Sequence, residues 1–485
     1  MSEMRQAIFY SMLNKYSLQV ISFISIAILA RLLTPEEVGV FAVATSLAFV
    51  ATSLRTFGVG EYLVRERSID RQKVKTVVGV MVIMSWTLGL IFMVASPWIG
   101  DFYGQPDLGD LICIIAVPFF VAPFSTIPFS LLARSMKFDS ILKIELAGCL
   151  VRNGVSIGLV LYDFSYYGLA WGTLAGVLME FAMITLYRPA EMSWIPSFRN
   201  LGKVFSAGMQ ISLSNLFLLS SQNSNDLILG RLSTMNNVGI YSRGLGLILF
   251  LNDVVVKAVG PVALPHLAKV KREGGDVAEA YLNAVGLVGA VALPLFAVVS
   301  LSSLAMITAL FGDQWAFSAQ LSSILAIWIM FQSMHCFAKQ ALLTAGQERL
   351  FLVKELQSLV VKVGFIVAAV PYGLTWVAWA VALSGLIDFL VVSYLLKLAL
   401  DIRFWPMLKH FFPNMLVAAA CWTVLRLAGM VIPLDQMNAW LSLLITGALM
   451  VPVWLVSLRL TGNSLWPFVV SVFQHLGDKV RGSRG

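Results

Sequence analysis

Eleven ionisable side chains interrupt runs of otherwise apolar residues. The bases are Lys15, Arg55, Arg152, Arg243, Lys339 and Lys362; the acids are Glu145, Glu180, Asp226, Asp253 and Asp388. In hydrocarbon a charge costs ~2.5–3.5 kcal/mol on insertion scales, so such a group faces a partner or a polar cavity. Three kinds of chemistry are open to them. Opposite charges can pair, with Glu145 set against Arg152 seven residues on, and Asp388 or Asp253 against Lys362 or Lys339. Cations can capture an anion, arginine bidentately and lysine as a point charge. A buried carboxylate with a raised pKa can exchange a proton, which makes Asp226 and Asp253 candidates for ion coupling.

Uncharged polar groups accompany them. Asn14 adjoins Lys15, and Gln19 lies one turn along the same face, as expected of a polar cavity wall. Asn215, Gln222 and Asn225 belong to the run 214–225, which is too rich in Ser, Asn and Gln to face lipid and offers amides and hydroxyls for hydrogen bonding.

No arrangement suited to catalysis occurs. Cys113, Cys149, Cys336 and Cys421 are scattered without a CxxC pair, and His266, His335, His410 and His475 are scattered likewise. Neither a metal-ligand spacing nor a GxxxxGK[ST] loop is present, so the expectation is no enzyme, no metal and no cofactor, and ATP is not the fuel.

The elements that must position these groups follow from composition. Of the 485 residues, 59% are hydrophobic and 12% charged, and the mean hydropathy is +0.84. A soluble chain carries about 45–50% apolar and about 25% charged residues. A cytosolic enzyme, a disordered chain and a nucleic-acid binder are thereby excluded, and the net charge of +8 reads as loop charge rather than as a nucleic-acid footprint. A span needs about 20 apolar residues. Fourteen such runs can be placed from 7–30 to 437–458, among them 206–229, 318–344 and 353–370. The first run contains Lys15 and lacks a small-residue cleavage site, so it reads as a span and not a leader. Most of the Lys and Arg fall at alternate connections, such as Arg65, Arg67 and Arg71, then Arg188, Arg199 and Lys203, and finally Lys479, Arg481 and Arg484 in the tail. Basic loops stay in the cytoplasm, which puts both termini there.

The chain also repeats itself. Ile28–Phe41 and Ile228–Tyr241 agree at seven of fourteen positions at a constant offset of 200, including Arg31 with Arg231 and Gly39 with Gly239. Six spans separate the copies, so the halves are parallel repeats, the organisation of many alternating-access transporters. Residues 1–186 form an N-terminal six-helix bundle, 187–204 a polar cytoplasmic linker, 205–397 a C-terminal six-helix bundle, and 398–485 two extra helices and a cytoplasmic tail. Within the repeated stretch, Thr34-Pro35-Glu36-Glu37 reads as a helix start with Thr34 as N-cap. Gly39 and Gly239 permit close helix packing, and Arg31 and Arg231 are structural or gating residues.

The run Arg31–Phe41 resembles the hallmark of the polysaccharide transporter family, the Wzx-type flippases of the multidrug/oligosaccharidyl-lipid/polysaccharide exporter superfamily. Asn225-Asp226, Gly230-Arg231 and Gly239–Tyr241 resemble its second-half signature, with Met235-Asn236-Asn237 a departure that leaves the substrate open. The likeness is greatest to colanic-acid and exopolysaccharide exporters. It implies an all-α, multi-pass protein of the bacterial inner membrane with fourteen helices. Its function would be to move undecaprenyl-diphosphate-linked oligosaccharide to the outer leaflet for polymer export. It would act as a monomer among membrane lipids, beside a polymerase and co-polymerase, and would not contact nucleic acid.

On that resemblance the six embedded bases would line a central cavity and offset the diphosphate. Lys15, Arg152 and Arg243 lead, Arg55 sits at the cytoplasmic mouth, and Asn14, Gln19, Asn215, Gln222 and Asn225 would contact sugar. Two rival functions make different demands. A multidrug and cation antiporter of the same superfamily calls for an acid-lined cavity. A membrane glycosyltransferase or polymerase calls for a sizeable outer loop, and the outer loops here are short.

Overall fold

The computed structural model describes residues 3–56, 71–189, 192–198, 201–471 and 474, and within them it is helical, with no strand. Arg65, Arg67, Arg199, Lys479, Arg481 and Arg484, on which the topology reading partly leans, lie outside the described residues, as do the side chains of Lys203 and Lys257. The long helices are α1 (Glu3–Leu32), α2 (Pro35–Thr56), α3 (Arg71–Tyr103), α4 (Pro106–Arg134), α5 (Phe138–Leu161), α6 (Ser165–Leu186), α7 (Leu201–Leu232), α8 (Met235–Arg272), α9 (Val277–Phe311) and α10 (Ala316–Ser333). The short α11 (Ala338–Ala345) precedes α12 (Glu348–Ala369), α13 (Leu374–Leu400), α14 (Phe404–Val431) and α15 (Ala439–Leu460).

Twelve segments among the described residues are long and apolar enough to cross a membrane. They cover every expected run except 206–229 and 353–370. Both of these form helices, α7 of 32 residues and α12 of 22; the side chains of 201–212 in the first lie outside the described residues, and Lys354, Glu355 and Lys362 place three charges in the second. A helix with one face against protein can afford that polarity; a lipid-facing one cannot.

The expected continuous span 318–344 is broken. α10 stops at Ser333, residues 334–337 form a turn and α11 resumes at Ala338. The turn is closed by bonds three residues apart, from His335 N to Gln332 O (3.2 Å) and from Ala338 N to His335 O (2.9 Å). Tight turns of this kind interrupt helices where a side chain is committed elsewhere. Here the His335 imidazole is bonded on one side by the Tyr281 hydroxyl and on the other by Ser393 Oγ, each at 2.9 Å. Ser393 Oγ donates to Phe389 O, so it accepts from His335 Nε2, and Nδ1 accepts from Tyr281.

The repeated motif folds as a repeated turn. α1 and α7 end, and α2 and α8 begin, at positions 200 residues apart. Both copies keep the same bonds: Leu33 N to Leu29 O and Ser233 N to Leu229 O, then Val38 N to Thr34 O and Val238 N to Thr234 O. Thr34 caps α2 as expected. Its hydroxyl accepts from Glu37 N at 3.3 Å, while the Glu37 carboxylate accepts from Thr34 N at 2.7 Å, a complete capping box. The second copy keeps the Asn237 N to Thr234 Oγ1 bond (3.2 Å), but with Asn at 237 the reciprocal half is gone.

The chain packs as two compact units, Met1–Ile240 and Tyr241–Gly485. This packing boundary is a different division from the repeat boundary expected at 187–204. Within the first unit, 192–198 lies against α3 and α4: Ser197 N bonds Lys75 O at 2.8 Å, Met192 joins a core with Val77 and Met81, and Trp194 contacts Phe124. In the same unit α7 packs on α2.

Candidate functional site

In the first unit the expected groups gather on α1, α5 and α6, with pairings unlike those the spacing suggested. Arg152 does not pair with Glu145. Its guanidinium lies 3.0 Å from Glu180 on α6, and Glu145 instead accepts from the Asn14 amide of α1. Residues 145 and 152 share a helix two turns apart, too far for side chains that meet at three or four residues. The Arg152–Glu180 pair is set into space left by glycines on both helices. A Cβ at Gly148 would collide with the Glu180 side chain, and one at Gly176 would lie 2.7 Å from Arg152 Cβ. Cys149, one position beyond Gly148, meets Ser22 of α1 and Asn153. Gln19 is half-buried on α1. Lys15 is exposed and forms no ion pair among the described residues.

Arg55 ends α2 with its guanidinium carbon 5.3 Å from the centre of the Phe119 ring of α4. Its Nε is buried without a hydrogen-bond partner, and no carboxylate is paired with it among the described residues. On α7, Asp226 accepts from Ser46 of α2 at 2.9 Å, Asn225 is 1% exposed with both amide atoms unbonded, Asn215 is half-buried and Gln222 is exposed. Arg231 lies over the Phe102 ring at 4.7 Å, while Arg31 is exposed.

In the second unit Arg243 of α8 stands against two aromatic faces, 5.0 Å from the Phe311 centroid and 4.8 Å from that of Trp315. Its Nε has no hydrogen-bond partner, and it too has no carboxylate among the described residues. Gly244 beside it lets α10 approach: a Cβ there would be 2.8 Å from Ser318 O, and Ser322 Oγ bonds Gly244 O at 3.0 Å. Cation–π contact holds a guanidinium in place without neutralising it.

The remaining charges form a cluster on α10, α12 and α13. Asp388 pairs not with Lys362 or Lys339 but with Lys354, at 3.5 Å, which also reaches Glu355 at 3.2 Å. Ser358 and Gln332 donate to the two Asp388 oxygens at 2.7 and 3.2 Å. Lys362 is buried with its ammonium 5.5 Å from the Trp328 ring centre, and Lys339 stands 5.3 Å from that of Phe351. Asp253 is half-buried on α8 and engaged. Lys354, Glu355 and His335 were not singled out from the sequence. The Lys354-Glu355 doublet was legible as a charge pair near a span, but at the end of an apolar run it read as loop charge.

No cluster of His, Cys, Asp and Glu able to hold a metal occurs among the described residues. What the two units offer chemically is anion binding at guanidinium groups, surrounded by amides and hydroxyls.

Comparison with known proteins fits this picture. Residues 28–320 match the family described as "Polysaccharide biosynthesis protein", more than half of the chain and both copies of the motif. The chain belongs to that family. Among curated members of similar sequence, the teichuronic acid biosynthesis protein TuaB of Bacillus subtilis is 25% identical over 418 residues, covering 83% of this chain and 85% of TuaB. The lipopolysaccharide biosynthesis protein WzxC of Escherichia coli is 20% identical over 308 residues, 61% of this chain and 60% of WzxC. Among solved structures, the lipid II flippase MurJ in an inward closed conformation superposes with a TM-score of 0.76 at 13% identity, covering 94% of this chain and 99% of MurJ. An inward-facing multidrug resistance MATE transporter of the MOP superfamily gives 0.58 at 15% identity, covering 79% and 95%. This member of the family therefore has a MurJ- and MATE-like fold.

Proposed function

We propose that the protein is a flippase for lipid-linked oligosaccharide in the bacterial inner membrane, a multi-pass transporter and not an enzyme. One observation carries the reading. Among the described residues every embedded acid is engaged: Glu145 by Asn14, Glu180 by Arg152, Asp226 by Ser46, Glu355 and Asp388 by Lys354, and Asp253 as well. Two half-buried arginines, Arg55 and Arg243, stand against aromatic rings with Nε unbonded and no carboxylate paired with them among the described residues. The uncompensated charge is positive, which suits a diphosphate cargo and disfavours a cationic drug. Relatives named for teichuronic acid, succinoglycan and lipopolysaccharide biosynthesis support the same cargo class.

In this reading Arg55 of the first unit and Arg243 of the second are each phosphate contacts of their own unit, with Lys15 beside the polar wall of α1. Asn225, Gln19, Gln222 and Asn215 serve the sugars, whereas Asn14 and Arg152 are held in structural bonds. α7 and α12 complete fourteen crossings with both termini cytoplasmic, as six helices per repeat and two more require. A proton or sodium gradient drives alternating access, with Asp226 and Asp253 as the acids to test, and polymerase and co-polymerase act on the delivered lipid.

The decisive experiment uses cells lacking the protein, in which lipid-linked oligosaccharides are tested for sidedness with a membrane-impermeant glycosidase. Protected units and lost surface polymer are expected, restored by the wild-type chain and not by Arg243→Ala. Units that reach the outer leaflet normally in the deleted strain would overturn the reading, and resistance to cationic drugs would then be assayed.

A further inference from the structure

Away from these clusters, the second unit holds a cavity of about 460 Å³ where α9 meets α14 and α15, the two helices beyond the repeat. Its lining is divided. Leu301, Met430 and Leu434 supply an apolar side, and Arg426, Ser442 and Thr446 a polar one. Arg426 lies five residues before the end of α14, and Ser442 and Thr446 occupy the first two turns of α15, so the polar groups share one end of the helices.

Among the described residues these groups lack partners. Arg426 is exposed and forms no ion pair there. Ser442 and Thr446 are only 3% and 5% exposed and stand one turn apart on one face of α15, and neither hydroxyl makes a hydrogen bond to a described residue. Serine and threonine inside helices commonly satisfy themselves on the carbonyl four residues back. Ser302, across the same cavity, does so at 2.9 Å to Val298 O, and Thr461 at the end of α15 does so at 2.8 Å to Ser457 O. Two hydroxyls in nearly buried residues, both turned into a cavity instead, call for an explanation.

Among the described residues that line the cavity, Arg426 is charged and none is a carboxylate. A phosphodiester brings one negative charge, which a single guanidinium can meet with two hydrogen bonds. Beside the cavity, Leu427, Met430 and Leu444 present apolar side chains at the surface of α14 and α15, where acyl chains run. We propose that this cavity binds the headgroup of an anionic phospholipid. Arg426 meets the phosphate, Ser442 and Thr446 donate to headgroup oxygens, and the acyl chains lie along α14 and α15. The site is separate from the transport reading and stands or falls independently of it.

The test is native mass spectrometry of the full chain purified in detergent and titrated with phosphatidylglycerol, phosphatidylcholine or a prenyl diphosphate. The expected result is one retained phosphatidylglycerol, with phosphatidylcholine bound far more weakly. Arg426→Gln should weaken retention about tenfold or more, the scale of a charge-assisted hydrogen bond, and the near-isosteric Thr446→Val by several-fold. Size-exclusion profiles establish that both variants are folded, and Thr446→Val carries the test if Arg426→Gln is not. Unchanged phosphatidylglycerol binding in the folded variants, equal binding of phosphatidylcholine, or displacement of phosphatidylglycerol by stoichiometric prenyl diphosphate would each overturn the proposal.

Discussion

Gly39 and Gly239, equivalent positions in the two copies of the repeated motif, face each other where the first turns of α2 and α8 cross. A Cβ on Gly39 would collide with Met235 O, one on Gly239 with Pro35 O, and each would lie about 3 Å from the other glycine's nitrogen. The residues in the way are themselves equivalent, so the contact is reciprocal. Because the obstacles are backbone atoms, no side chain can turn aside to make room. Gly39→Ala and Gly239→Ala should each cost about 1–3 kcal/mol, the usual range for overpacking. The measurement is thermal denaturation of the purified protein, and unchanged midpoints for both would show that the helices separate freely.

Arg152 and Glu180 should behave as a structural pair. Loss of either leaves a partly buried charge, and because Arg152 keeps 41% of its side-chain exposure the penalty is nearer about 1–2 kcal/mol than that of a fully buried pair. Arg152→Ala should lower the amount of protein in the membrane, and the exchange Arg152→Glu with Glu180→Arg should restore it together with export. Export lost at normal protein level, and not recovered by the exchange, would instead make Arg152 a cargo contact.

Arg243 should show the opposite behaviour. With no carboxylate to abandon, Arg243→Ala should leave membrane levels near wild type while surface polymer falls by tenfold or more, a loss of about 1.4 kcal/mol or greater. Arg243→Lys keeps the charge but not the planar, bidentate fork, and should lie between. Immunoblots paired with polymer quantitation separate the two effects.

The Lys354 cluster should be asymmetric towards mutation. Lys354→Met leaves Glu355 and Asp388 buried without their cation, and should destabilise by about 3–5 kcal/mol. Asp388→Asn keeps one acceptor oxygen for Ser358 or Gln332 and leaves Lys354 with Glu355, so it should cost less. Combining the two should recover part of the Lys354→Met loss. Protein yield and thermal midpoints across this cycle give the comparison, and strict additivity would deny the coupling.

The sequence by itself determined what composition and local order encode. Apolar run lengths set a multi-helix membrane chain, Thr34-Pro35 fixed the start of α2, and the match of Ile28–Phe41 to Ile228–Tyr241 revealed a duplication whose two turns share their backbone bonds. Composition marked the run 214–225 of α7 as unusually polar without saying which face carries the polarity.

Only the tertiary structure decided which charges belong to each other. Arg152 meets Glu180, Lys354 meets Asp388 and Asn14 meets Glu145, partners 28, 34 and 131 residues apart in the chain. In water an amphipathic stripe tells which side of a helix is covered. In a bilayer the lipid-facing and protein-facing sides are both apolar, so periodicity carries little of that information, and the neighbours of an embedded charge are set by which helices pack together. For the same reason it took the packed structure to separate the compensated cation Arg152 from Arg55 and Arg243, which stand against aromatic rings with no carboxylate paired among the described residues.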